Sequence, residues 1–89
     1  MRVQYDADFL DKLKHVDVRI RKSFDERIEL FKQNPHNPQL HNHALKDPYE
    51  GFRSIDITND YRAVYEEVSS GNETVAYFSL FGTHKELYS

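Results

Sequence analysis

Apolar residues along the chain follow two different periods, alternating at the start and after Gly51 and recurring at helical spacing between residues 9 and 31. Met1, Val3 and Tyr5 alternate with polar neighbours, the period of a short strand with one buried face. Phe9, Leu10, Leu13 and Val16 then recur at three- and four-residue spacing behind Asp6 and Asp8, whose carboxylates suit a helix N-cap. Asp17 offers a second cap, followed by an apolar face of Ile20, Phe24, Ile28 and Phe31 with Leu30 beside it. The opposite faces of both helices carry Lys, Arg, Asp and Glu, which predicts solvated surface. Asn34-Pro35 stops the second helix, because proline disfavours helical geometry in the residue before it.

Residues 34–50 contain three prolines and no sustained period, which predicts a long connection of the kind that is either functional or mobile. Leu40, Ala44 and Leu45 are expected to pin its middle to the core, with one helical turn. After Gly51 the period becomes two. Phe52 to Ile57 places Ile55 and Ile57 on one face and Ser54 and Asp56 on the other. Thr58-Asn59-Asp60 reads as a turn. Tyr61 to Val68 follows, with Tyr61, Ala63 and Tyr65 facing one way and Arg62, Val64, Glu66 and Val68 the other. Ser69 to Asn72 forms a hairpin connection, and Thr74 to Phe81, the most apolar run, is expected inside the sheet. Gly82 is expected to end that strand and Thr83 to cap a terminal turn through Tyr88. The order β-α-α-β-β-β-short helix predicts an α+β fold over one domain, residues 1–89. Two N-terminal helices pack on one face of a small, mainly antiparallel four-stranded sheet, and the other face stays partly open.

Composition narrows the classes. A chain of 89 residues supports one core, and its 6 Tyr and 6 Phe imply that rings fill much of it. No apolar run approaches the roughly 20 residues that span a bilayer, and residues 1–6 lack a signal-peptide stretch, so a cytoplasmic protein without membrane contact is expected. Zero cysteines exclude disulfides and thiolate metal sites. With 12 Lys+Arg against 15 Asp+Glu, the net charge of -3 argues against bulk electrostatic adhesion to nucleic acid. Any RNA or DNA chemistry then needs a local site. Residues 34–89 hold four basic and eight acidic groups, and also His36, His41, His43 and His84. Histidine changes charge near neutral pH, so this half reads as the chemical one.

Several groups converge there in the expected scheme. His43 ends the loop, Asp56 leaves the Ile55/Ile57 face, Asp60 and Tyr61 occupy a turn, and His84 and Tyr88 share one side of the terminal turn. Two imidazoles and a carboxylate suffice for acid–base catalysis without metal, and Arg53 and Arg62 can offset phosphate charge. The competing reading is a set of polar residues on a solvated sheet face. His41-x-His43 with His84 mimics a three-histidine zinc site, but no metal motif spacing supports it, and no metal or other cofactor is expected. Phe24, Phe31, Tyr65, Tyr77, Phe78 and Phe81 read as core, whereas Tyr61 and Tyr88 suit exposure and base stacking.

Four stretches carry a family likeness: His43–Lys46, Tyr49–Ile57, Asp60–Tyr65 and the ending Phe81-Gly82-Thr83-His84-Lys85-Glu86-Leu87-Tyr88. Together they resemble the RelE/ParE toxin superfamily, above all the YafQ branch of bacterial type II toxin–antitoxin toxins. The resemblance implies a ribosome-dependent endoribonuclease that cuts mRNA in the A site and is blocked by a cognate antitoxin, through which alone it reaches operator DNA. It also implies catalytic roles for His43, Asp60 and His84, and substrate contacts from Arg53, Asp56, Tyr61, Arg62 and Tyr88. Tyr61 stands where the branch often has tryptophan and Tyr88 where it has phenylalanine. Asp56 stands where histidine is found, and the acidic net charge is a second departure. The alternative is a ParE-like or degenerate toxin that only binds gyrase or its antitoxin.

Overall fold

A computed structural model describes residues 1–88, so Ser89, the last residue of the expected domain, lies outside the described residues. In chain order the elements are β1 (Arg2–Tyr5), α1 (Ala7–Lys14), α2 (Val18–Gln33), a 3-10 turn (Pro38–Leu40), β2 (His43–Ala44), β3 (Arg53–Asp56), β4 (Tyr61–Ser70), β5 (Glu73–Thr83) and α3 (His84–Tyr88). Each long helix starts where an aspartate satisfies an orphan N–H. Asp6 accepts from Asp8 N at 3.0 Å, and Asp17 accepts from Arg19 N at 2.7 Å. That backbone donor is the main reason the Asp17 carboxyl sits below its ordinary pKa. Asp8 lies in the first turn of α1 rather than at its cap.

The sheet order is β1-β5-β4-β3-β2, with β1 parallel to β5 and the remaining pairs antiparallel. The architecture is the expected α+β arrangement with one addition. A two-residue fifth strand, β2, forms where a loop was expected, because His43 and Ala44 pair with Ser54 and Arg53. Ala44 is therefore an exposed edge residue and does not pin the loop. Leu40 does, fully buried at the end of its 3-10 turn. β5 runs past Phe81 through Gly82 to Thr83, so Gly82 does not end it.

Phe9, Phe24, Ile28 and Phe31 on the helices meet Ile55, Ile57, Ala63, Tyr65, Ala76, Phe78 and Phe81 on one sheet face. The rings pack mostly edge to face. Phe31 is centred 5.0 Å from Tyr65 and 5.2 Å from Phe78, tilted by 77° and 74°. Simple alternation cannot put both Phe78 and Phe81 in this core, since residues three apart face opposite ways. A β-bulge resolves the conflict. Val64 opposes Leu80 and Tyr65 opposes Phe78, which leaves Ser79 as the extra residue. The Tyr77 ring consequently leaves the core cluster where it was expected, and its hydroxyl donates to Asp6 Oδ1 at 2.8 Å. That bond to a carboxylate is the main reason its pKa is raised.

Register decides what lies on the face away from the helices. His43 opposes Ser54, Ser54 opposes Val64, and Asp56 opposes Arg62. Directly opposed residues share a face. His43, Ser54, Asp56 and Arg62 therefore gather at one end of that face, the end at which α3 leaves β5.

Candidate functional site

The last element is held by a reciprocal pair of hydrogen bonds. Glu86 N donates to Thr83 Oγ1 at 3.1 Å, and Thr83 N donates to Glu86 Oε1 at 2.8 Å. This is the capping box that Thr83-x-x-Glu86 spells, and it fixes His84 as the first helical residue. The Thr83 backbone donor is the largest cause of a lowered Glu86 pKa, followed by the Thr83 side chain and the Lys12 charge. Gly82 lies buried beneath α3, where a Cβ would come within 3.1 Å of Glu86 Oε1 and 3.2 Å of Lys12 Nζ.

Three further bonds seat α3 on the sheet. His84 N donates to Asp60 O at 2.8 Å, which ties the helix to the β3–β4 turn. Tyr88 donates its hydroxyl to Ser54 Oγ at 2.9 Å, and Ser54 is fully buried. Tyr49 donates to Leu87 O at 3.0 Å. The His84 ring packs edge-on against Tyr88, with centroids 4.8 Å apart.

Between α3, the sheet end and residues 41–49 opens a cleft of about 560 Å³. His41, His43, Asp56, Arg62, His84 and Tyr88 supply its chemistry, and Lys46 and Asp47 add charges of opposite sign. His43 Nδ1 lies 2.9 Å from His41 O. A carbonyl only accepts, so Nδ1 carries the hydrogen and the neutral ring keeps its lone pair on Nε2. His41 Nδ1 lies 2.8 Å from Asp56 Oδ2, and Arg62 Nε lies 3.0 Å from Asp56 Oδ1. One carboxylate thus holds a loop imidazole and a strand guanidinium. Arg62 Nη1 donates to Thr58 O and Tyr61 O, at 2.9 Å and 3.1 Å, so much of its fork is committed to the protein.

Of the expected site residues, the fold brings His43, Asp56, Arg62, His84 and Tyr88 to one cleft. Asp60, Tyr61 and Arg53 are not among its lining side chains. Asp60 reaches it through the main chain, by its bond to His84 N. Tyr61 stacks on Phe81 at 5.5 Å and 24°, on the core side of the sheet. Arg53 also faces the core side, and its Nε donates to Asn42 Oδ1 at 2.8 Å. Asn42 in turn donates to the hydroxyl of buried Tyr65, at 2.7 Å. His41, Lys46, Asp47 and Tyr49 line the cleft without having been picked as site residues. The His41-x-His43 spacing pairs the two rings, and both line the cleft although the His41 backbone is left-handed (φ 48, ψ 43). Among the described residues no group of three or more His, Asp or Glu side chains is placed to hold a metal ion.

The α+β topology, with its capped terminal helix over the open sheet face, is the fold of RelE/YafQ-like toxins. The YoeB/ParE toxin from Agrobacterium tumefaciens superposes with a TM-score of 0.75 at 23% identity, over 94% of this chain and 99% of its own. YafQ from E. coli gives 0.70 at 20% identity over the whole of both chains, and a structure of the E. coli DinJ-YafQ complex gives 0.64 at 20%. A copper-bound mutant toxin from Helicobacter pylori gives 0.64 at 26% identity, over 99% of each chain. No protein-family model matches the sequence, and no curated protein matches it significantly.

Proposed function

We propose that residues 1–89 act as one domain, the toxin of a type II toxin–antitoxin pair, and that it is an endoribonuclease cutting mRNA in the ribosomal A site. The observation that carries this reading is the shared cleft of His43 and His84 in a chain with a toxin fold. In the reaction the RNA 2′-hydroxyl attacks the adjacent phosphorus. The O2′–P bond forms and the P–O5′ bond breaks, giving a 2′,3′-cyclic phosphate and a 5′-hydroxyl. His43 Nε2 takes the 2′-hydroxyl proton, and His84 as imidazolium gives one to the departing O5′. Lys46 and the part of the Arg62 guanidinium not held by Asp56 and the two carbonyls face the phosphate charge. Tyr88, seated on Ser54, offers a ring for a base. Asp56 acts through His41 and Arg62 rather than on the substrate.

The proposed partner is a cognate antitoxin, a reading supported by the E. coli DinJ-YafQ complex. Operator DNA is reached through that antitoxin. The proposed place of action is the cytoplasm, and among the described residues no helix is long and apolar enough to cross a membrane. Each acid–base residue contributes roughly two to four powers of ten in rate. His84→Ala should therefore slow cleavage by about that factor and relieve growth arrest, with an unchanged circular dichroism spectrum. A His84→Ala protein that remains fully toxic overturns the assignment.

One observation favours a second reading. A net charge of -3 is poorly suited to ribosomal RNA and fits a toxin that only binds gyrase or its antitoxin. Primer extension on transcripts after induction separates the two. Codon-phased cuts support the nuclease, whereas arrested replication over intact transcripts supports the binder.

A further inference from the structure

His41 makes two contacts at once, one with His43 and one with Asp56. Its carbonyl accepts from His43 Nδ1 at 2.9 Å, and its ring donates from Nδ1 to Asp56 Oδ2 at 2.8 Å. Arg62 Nε approaches the other oxygen of Asp56 at 3.0 Å. Both contacts are made from a left-handed backbone at His41, which non-glycine residues seldom adopt. Closing the 3-10 turn accounts for part of that geometry, because His41 N donates to Pro38 O. Glycine would serve there with less strain. Histidine adds the ring on Asp56.

The ring contact is not a stability device. The His41 side chain is 73% exposed, and exposed ion pairs contribute little to folding. Its effect is to tie residues 41–43, an edge segment in which only His43 pairs in the sheet, to β3, beside the bond from Arg53 to Asn42. The tie holds the carbonyl of His41 against His43.

We propose that His41 is a positioning residue of the cleft, whose ring on Asp56 anchors the loop so that its carbonyl keeps His43 in the Nδ1–H tautomer with Nε2 free to accept a proton. The catalytic meaning of this tautomer rests on the nuclease reading above. The tautomer itself does not, because it exists in the free protein.

Long-range proton–nitrogen correlation spectra of the imidazoles read it directly, at about pH 8.5, where an ordinary histidine is neutral. In the wild-type protein His43 should show Nδ1 protonated, against the Nε2–H preference of an unconstrained histidine. His41→Gly, which keeps the left-handed backbone but removes the ring, should return His43 to the Nε2–H form. Asp56→Ala should do the same. His41→Asn tolerates the backbone and can donate to Asp56, and it should restore the wild-type form. In single-turnover cleavage on programmed ribosomes the first two variants should lose about ten- to a hundredfold in rate at saturation, and His41→Gly should leave the half-saturating concentration nearly unchanged. A wild-type His43 in the Nε2–H form overturns the proposal, as does a tautomer that survives in both His41→Gly and Asp56→Ala. If the variants do not fold, the wild-type spectrum alone decides. Wild-type protein that shows the Nδ1–H form but cuts no mRNA on programmed ribosomes removes the nuclease reading and leaves the geometry intact.

Discussion

Position 56 holds a carboxylate where the YafQ likeness implies an imidazole, and an imidazole nevertheless sits against it, from His41. Substitutions at this end of the sheet act through different routes, so their effects should differ in kind. Asp60 meets His84 only by its carbonyl, which any residue supplies. Asp60→Asn should therefore reduce cleavage far less than His43→Ala, whose loss should be about two to four powers of ten. Parallel rate measurements on purified protein check the order, and equal losses would restore Asp60 to the chemistry. Arg53 shows the reverse case. Its guanidinium belongs to a chain through Asn42 to the Tyr65 hydroxyl, so its substitution bears on the loop's seat rather than on phosphate binding.

At the scale of elements, α3 and the bulge in β5 matter most. Five residues make a helix too short to persist alone, so α3 depends on its capping box, its bonds to Asp60 and Ser54, and the close approach that Gly82 allows. The Glu86 carboxyl has a lowered pKa in the folded chain, first through the Thr83 N–H. A lowered folded pKa means that the contribution is complete above the unfolded value, near 4.3, and disappears as pH falls through the folded one. Amide exchange protection of residues 86–88 should hold from neutral pH down to about that value and fall below it, and Glu86→Gln should remove the dependence. The bulge gives a sharper test. Deleting Ser79 would remove the extra residue and leave Phe78 and Phe81 two apart, so strict alternation would keep both rings on the core face. A cooperative urea transition should therefore survive the deletion, and its loss would show that Ser79 does more than correct the register.

For the molecule as a whole, one ring-filled core carries stability and the opposite sheet face carries the cleft. Phe78 is fully buried and touches Tyr5, Phe9, Phe31 and Tyr65 through ring contacts. Phe78→Ala should lower the unfolding free energy by about 3–5 kcal/mol, a large share of the roughly 5–15 kcal/mol typical of a domain. Urea titration measures the shift. The two helices, four of the five strands and the core face of β3 and β4 were legible in the sequence, because each follows a local period or a local cap. The caps at Asp6 and Asp17 and the box at Thr83 and Glu86 needed only neighbours within three residues. What stayed hidden depends on partners far along the chain. β2 exists only because β3 lies beside it, and the direction of His41 is set by Asp56, fifteen residues on. Periodicity can assign a residue to a face, but only packing in three dimensions decides which far-off residue meets it there. For this protein the sequence determined every element except β2, with their order, and singled out two of the cleft's imidazoles. The fold alone decided that a third imidazole joins them and that Asp60, Tyr61 and Arg53 do not.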